Sequence, residues 1–282
     1  MGRKGEIQMD DLKTKMEIDT LKEKLKATWE AGDFGEIAKS FEQGAEDFVT
    51  RLALLPKTSV LDVACGSGNT AIPAARTGAE VTGVDLAAYV IKQAADRAER
   101  AGIKAAFDVG DVEDLQYEDG AFDTVITMFG AMFAPKPELA MSEMKRVCRR
   151  GGSIAMANWT PSGFIGQMFK ITAKFVPPPA GMPSPLLWGD PETVRERLGD
   201  DFTEIEMTPR MIAFDFPFGP GEVVEHFRKF YGPTQKAFAV LDPAKQDLLR
   251  KGLVELWSAN NSVGEDRATV YSEYLEVRAV RK

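Results

Sequence analysis

The residues best suited to chemistry are three carboxylates and a small-residue turn. Asp62 sits inside the apolar run VLDVACGSGNT, followed at once by Gly66 and Gly68. Asp85 closes the run EVTGVD, and Asp111 follows the run AAFDVG. Two glycines this close let a backbone turn sharply and approach a ligand with no Cβ in the way, while a helix starting behind them offers unpaired N–H groups. A carboxylate nearly twenty residues later can accept both hydroxyls of a ribose, so a nucleotide-containing cofactor is the natural occupant. The glycine pattern alone does not separate a dinucleotide from another adenosine cofactor. Asp62 does: its charge would repel a pyrophosphate and attract an ammonium group. Asp111 can accept from an exocyclic adenine amine while the Val112 N–H meets a ring nitrogen, so the two acids would hold opposite ends of one ligand.

The elements that must position these residues are readable from periodicity. Residues 1–19 are charged and non-periodic and are expected to fray as a tail. Residues 20–56 hold helices that pack on the core, with Leu21, Leu25 and Trp29 on one face, a break at AGDFG, and a second helix from Phe34 to Leu52. From 57 to 159, SVLDVA, EVTGVD, AAFDVG, FDTVITM and GSIAMAN read as five buried strands alternating with helices. That alternation predicts an α/β fold with a doubly wound, mostly parallel Rossmann-like sheet. Residues 160–268 change character, with VPPPAGMPSP and many aromatics, and are expected to form an inserted helical cap holding one core strand near 203–216. Residues 269–282 give a last core strand, YLEVRAV.

Composition narrows the partners. The chain has 282 residues, is 44% hydrophobic and 28% charged, and carries a net charge of −8. Nothing basic marks a nucleic-acid or anionic membrane surface, and no apolar run reaches the length of a membrane span. Two cysteines, Cys65 and Cys148, support neither a disulfide framework nor a four-cysteine metal site, so no metal and a reducing, cytoplasmic setting are expected. Oligomeric state is left open.

In this order and spacing, VLDVACGSGN, VTGVDLA, GDVEDLQYEDGAFDTVIT and MKRVCRRGGSIAMANW resemble the class I S-adenosylmethionine-dependent methyltransferases of the UbiE/COQ5-like (methyltransferase type 11) kind. The resemblance spans Trp29 to Asn158. It implies S-adenosyl-L-methionine as cofactor, with Asp62, Ala64 and Gly66 around its methionine end, Gly68 and Asn69 as further cofactor-binding residues of the same loop, Asp85 on the ribose, Leu86 and Met128 on the two adenine faces, and Asp111 with Val112 on the adenine edge. Asn69 stands where many members carry a third glycine. The resemblance also places the last strand antiparallel beside the fifth.

The sulfonium of such a cofactor brings its own electrophilic methyl, so the protein need only align a nucleophile and exclude water. The expected partner is a small, largely apolar or aromatic methyl acceptor, because the segments around the site are rich in Phe, Met and Trp. Trp29, Phe34, Phe129, Met132, Phe133 and Trp159 are its candidate contacts, with Trp29, Phe34 and the 160–190 segment forming a lid. His226 and Tyr231 are candidate bases; Cys65 reads as a packing residue. A nicotinamide oxidoreductase and a non-catalytic cofactor-binding protein are the alternatives. MFGAMFAP stands where amino-group methylases of nucleic acids carry an Asn/Asp-Pro-Pro-aromatic motif.

Overall fold

The computed structural model describes residues 9–179 and 182–282. Seven strands form one sheet: β1 (Ser59–Val63), β2 (Glu80–Asp85), β3 (Ala106–Val109), β4 (Phe122–Met128), β5 (Cys148–Trp159), β6 (Phe202–Phe216) and β7 (Ala268–Arg281). Their order is β3-β2-β1-β4-β5-β7-β6. The first five pair in parallel, and β7 runs antiparallel to β5 on one side and β6 on the other. The strand order reverses between β1 and β4. Right-handed crossovers on the two sides of that point put α4 (Ala71–Arg76) and α5 (Ala88–Arg100) on one face and α6 (Pro137–Val147) on the other. The crevice above the carboxyl ends of β1 and β4 is left open by this arrangement.

The amino-terminal region differs from expectation. Helix α1 runs from Met9 to Ala31, so the expected tail boundary at residue 19 falls inside a helix, and only residues 1–8 of that tail lie outside the described residues. The expected second helix is divided into α2 (Phe34–Ala38), a 3-10 turn over Lys39–Phe41, and α3 (Glu42–Leu52). Asp33 caps α2 by accepting the Gly35 N–H at 3.1 Å. The turn brings the Phe41 ring into edge contact with Phe214 at 5.1 Å and Phe129 at 6.0 Å. Aromatic packing here outweighs a longer helix.

Residues 160–268 do not form one cap. Helix α7 (Phe164–Phe175), α9 (Pro220–Phe230), α10 (Gly232–Ala239) and α11 (Pro243–Asn260) cluster together, whereas α8 (Pro191–Leu198) packs with α6 under the sheet. The strand expected near 203–216 is β6, the sheet edge, where Pro209 costs no ladder bond to a further strand. Residues 180 and 181, within the proline-rich stretch, lie outside the described residues. Among the described residues no helix is long and apolar enough to cross a membrane.

Candidate functional site

β1 is buried along most of its length, and the chain leaves it through Ala64, a non-glycine residue in the left-handed region (φ 54°). Opposite it, Phe129 leaves β4 with φ 62°. Between them Gly130 is required by contact: a Cβ there would lie 2.4 Å from the Ala64 carbonyl oxygen. Strained backbone at the ends of the two central strands, held by close packing, marks the switch point as a place where geometry is set for something other than stability.

The loop after β1 turns through Gly66 (φ 52°) and Gly68 (φ 84°). A Cβ on Gly66 would meet only Phe34, at 3.7 Å, and would project into the crevice. Gly68 faces inward instead, against Ile72 and Ala94, and gives its N–H to the Cys65 carbonyl. Asp85 fastens this loop: its Oδ2 accepts the Gly66 N–H and its Oδ1 the Ala87 N–H, each at 3.0 Å. Burial raises the Asp85 pKa against the lowering effect of these N–H groups. Arg97 on α5 braces the loop from outside, its Nη1 donating to the Ser67 carbonyl (2.7 Å), Ser67 Oγ (3.1 Å) and Asn69 Oδ1 (2.6 Å). Asn69 Nδ2 in turn donates to the Ala38 carbonyl at 3.3 Å.

Gly66, Ser67, Asn69 and Asp85 border a cleft of about 1110 Å³. Of the residues singled out in the sequence, Ala64, Gly66, Asn69, Asp85, Leu86, Asp111, Val112, Met128, Trp29, Phe34, Phe129 and Phe133 line it. A smaller chamber of about 380 Å³ adjoins it and shares Trp29, Phe34, Phe41, Phe129 and Phe133 as common wall. Trp159 and Tyr231 line the chamber only. The Trp159 ring stacks on Phe129 at 3.5 Å.

Four expected residues stand elsewhere. Asp62 is fully buried beneath the loop and does not reach the cleft wall; Thr70 does, and its hydroxyl donates to Asp62 Oδ2 at 2.5 Å. Among the described residues Asp62 Oδ1 is buried with no hydrogen-bond partner of good geometry, and burial pushes the carboxyl up to about 7 against the lowering effect of Thr70 and the Ala71 N–H. Gly68 shapes the loop without bordering either space. Met132, the middle residue of the 3-10 turn Ala131–Phe133, is packed in the core. His226 is turned into an aromatic cluster, 4.7 Å from Phe230 and 5.5 Å from Phe216 between ring centroids, and burial lowers its pKa. Hydrophobic packing claims that histidine. Cys65, by contrast, lines the cleft, but it is buried, and burial beside Asp62 holds its thiol well above the usual range.

Sequence reasoning missed three members of the site. Thr70 carried a signal, since a hydroxyl at the start of the helix behind a glycine loop commonly bonds a neighbour. Arg97 and Lys22 carried none. Lys22, on α1, lines the cleft and places its Nζ 2.6 Å from both Asp111 Oδ2 and Glu113 Oε2.

The cleft fits an S-adenosylmethionine-sized, partly cationic ligand. It offers an open backbone approach at Gly66, a carboxylate at the end of β2 and another after β3, with the buried Asp62 carboxyl lying behind Thr70 rather than in its wall. The family described as "Methyltransferase domain" matches residues 61–156, the stretch that builds β1 to β5 and their loops. An uncharacterised protein of Mycobacterium tuberculosis is 35% identical over 212 residues, covering 74% of this chain and 77% of that one. The phosphatidylethanolamine N-methyltransferase of Cereibacter sphaeroides is 31% identical over 147 residues, covering 51% of this chain and 70% of that one. Among solved structures, the YcgJ protein of Bacillus subtilis has the same fold at a TM-score of 0.58 and 13% identity, covering 85% of this chain and 99% of that one. The phosphoethanolamine N-methyltransferase 2 of Haemonchus contortus, in complex with S-adenosyl-L-methionine, matches at a TM-score of 0.54 and 19% identity over 85% of this chain and 52% of that one. A glycine loop tied to a strand-end carboxylate at the switch point, in a chain with these relatives, belongs to the class I S-adenosylmethionine-dependent methyltransferases.

Proposed function

We propose that this methyltransferase acts on a small, largely apolar or aromatic acceptor seated in the chamber behind the cofactor cleft. The observation that carries this reading is the shared wall: five aromatic side chains border both spaces, so a molecule in the chamber lies against the reacting end of the cleft. Among the described residues no charged side chain lines the chamber. Its polar side-chain atoms are the Tyr231 phenol and the indole N–H groups of Trp29 and Trp159. Such walls favour apolar faces and exclude water, while the few polar atoms orient the ligand.

The cofactor, when bound, supplies an electrophilic methyl on a sulfonium. The residues of this chain do the rest. Asp85 and Asp111 hold the nucleoside end. Thr70 and the Ala64–Gly66 backbone border the methionine end, with the Asp62 carboxyl behind them, whose ionised form an ammonium arriving there would favour. Trp29, Phe34 and Phe133 roof the junction and keep water from it, leaving in-line alignment as the main source of rate.

Neither expected base supports proton removal. His226 lines neither space, and burial raises the Tyr231 pKa, which leaves its phenol a donor. The acceptor is therefore one whose nucleophile needs no side-chain base, such as a neutral amine or a thiolate. The amine reading gains from the aromatic walls, whose faces stabilise the positive charge that forms on nitrogen, and from the names of the two N-methyltransferases matched above.

The test is to measure S-adenosylhomocysteine release with a panel of aromatic amines, aliphatic amines and thiols, for the wild type and Tyr231→Phe. Turnover of an apolar acceptor is expected. For acceptors bearing a hydrogen-bond acceptor atom, Tyr231→Phe should raise KM about 5- to 10-fold, the value of one hydrogen bond. Activity confined to polyanionic or strongly charged substrates would sink the proposal.

A further inference from the structure

The adenine end of the cleft holds an arrangement that cofactor binding alone does not call for. Asp111 and Glu113 each spend one carboxylate oxygen on backbone: Asp111 Oδ1 accepts the Glu113 N–H at 2.9 Å, and Glu113 Oε1 accepts the Lys136 N–H at 2.6 Å. The remaining oxygen of each faces the same cation, Lys22 Nζ, at 2.6 Å. The Glu113 side chain is 1% exposed and meets Lys22 as an ion pair without hydrogen-bond geometry, and the two pairs span 89 and 91 residues of sequence.

Lys22 also belongs to a stripe. Lys22, Leu25 and Trp29 are spaced at i, i+3 and i+7 along α1, and all three line the cleft. At the far end of the helix the chain is anchored by the Asp33 N–H to the Phe230 carbonyl at 2.9 Å, and the Trp29 ring packs on Tyr231 and Phe133. One end of α1 is thus fixed to α9 and α10, and the stripe reaches from there across the cleft to Asp111.

We propose that Lys22 is a positioning residue for the cofactor: it latches α1 over the adenine end by bridging Asp111 and Glu113, and so sets how slowly the bound cofactor leaves. This rests on the reading of Asp111 as the adenine-edge acceptor. An adenine amine approaching Asp111 Oδ2 must share that oxygen with Lys22. The ammonium has three donors and a second carboxylate to lean on, so it can give ground toward Glu113 without releasing the helix. The latch therefore holds with the nucleoside in place.

Stopped-flow displacement of S-adenosylhomocysteine tests this, with hydrogen exchange over residues 18–31. Lys22→Met should speed dissociation about tenfold or more and abolish any gain in α1 protection on binding. Lys22→Arg should restore the wild-type rate to within about threefold. Lys24→Met, an exposed lysine of the same helix, controls for charge and helix propensity and should change neither. An unchanged rate in folded Lys22→Met overturns the proposal, and so does a slower one, which would make the pair an obstruction to the cleft. Failure of the wild type to bind S-adenosylhomocysteine at all would instead refute the underlying reading of the cleft.

Discussion

Replacing Asp85 by Asn separates the two duties of that side chain. In the protein its two oxygens each hold one backbone N–H, from Gly66 and from Ala87, and the remaining lone pairs face the cleft. An amide of the same shape has one acceptor oxygen. Whichever way it turns, its NH2 confronts either the Gly66 or the Ala87 N–H, and one ribose hydroxyl meets a donor where it needs an acceptor. A hydrogen bond to a charged group contributes about 1.5–3 kcal/mol. One such bond lost from the ligand, with a loosened Gly66, should weaken S-adenosylhomocysteine binding by about 2–3 kcal/mol, or roughly 30- to 150-fold.

Stability should move much less. The Asp85 pKa is raised in the fold, so its contribution is favourable below the unfolded pKa and is lost as pH rises through the folded one. At neutral pH the wild type carries the cost of a desolvated charge that Asn lacks, which offsets the lost backbone bond. Calorimetry at pH 7.5 paired with a thermal melt reads both quantities. A dissociation constant within threefold of wild type in a folded variant would show that Asp85 only ties the loop. A loss of binding that tracks a collapse of the melt would show that the two duties cannot be separated.

Asp62→Asn should flatten the pH dependence of stability. A carboxyl raised from 3.8 to about 7 is stabilising while protonated and loses that contribution as pH rises toward 7, on the order of 4 kcal/mol in all. Urea midpoints at pH 5 and pH 8 should therefore differ less in the variant than in the wild type, with Asp85 supplying the residual slope, and parallel behaviour would refute the assignment. Arg97→Ala removes three bonds from the glycine loop, and should weaken S-adenosylhomocysteine binding about 3- to 30-fold by calorimetry while lowering the melting temperature by a few degrees; unchanged affinity would mean the loop holds its shape without that brace. Hydrogen exchange should divide the 160–190 segment. The turn Pro185–Gly189, where Trp188 is 1% exposed, should be protected with or without ligand, whereas α7, which reaches the chamber through Ile165 and Met168, should gain protection only on acceptor binding. Uniform behaviour of the whole segment would restore it as a single lid.

Much of the site was legible because it is local. A carboxylate at a strand end, a glycine loop and a helix start are consecutive in sequence, and alternation of strand and helix places successive strand ends on one edge of a parallel sheet. Asp85 and Asp111 reach the cleft for that reason, and the antiparallel final strand expected from the family resemblance is β7. The tertiary structure decided what depends on contact between distant segments. Periodicity put His226 on a helix but could not say that its face would meet Phe216 and Phe230 rather than the cleft. It put Asp62 in a buried strand but not Thr70 between it and the ligand space. The stack of Phe129 on Trp159, the hold of Arg97 on the loop, and the reach of Lys22 to Asp111 and Glu113 join residues 28 to 91 apart. Pairings of that kind are fixed by shape and charge complementarity once the helices are packed, and no spacing along the chain encodes them.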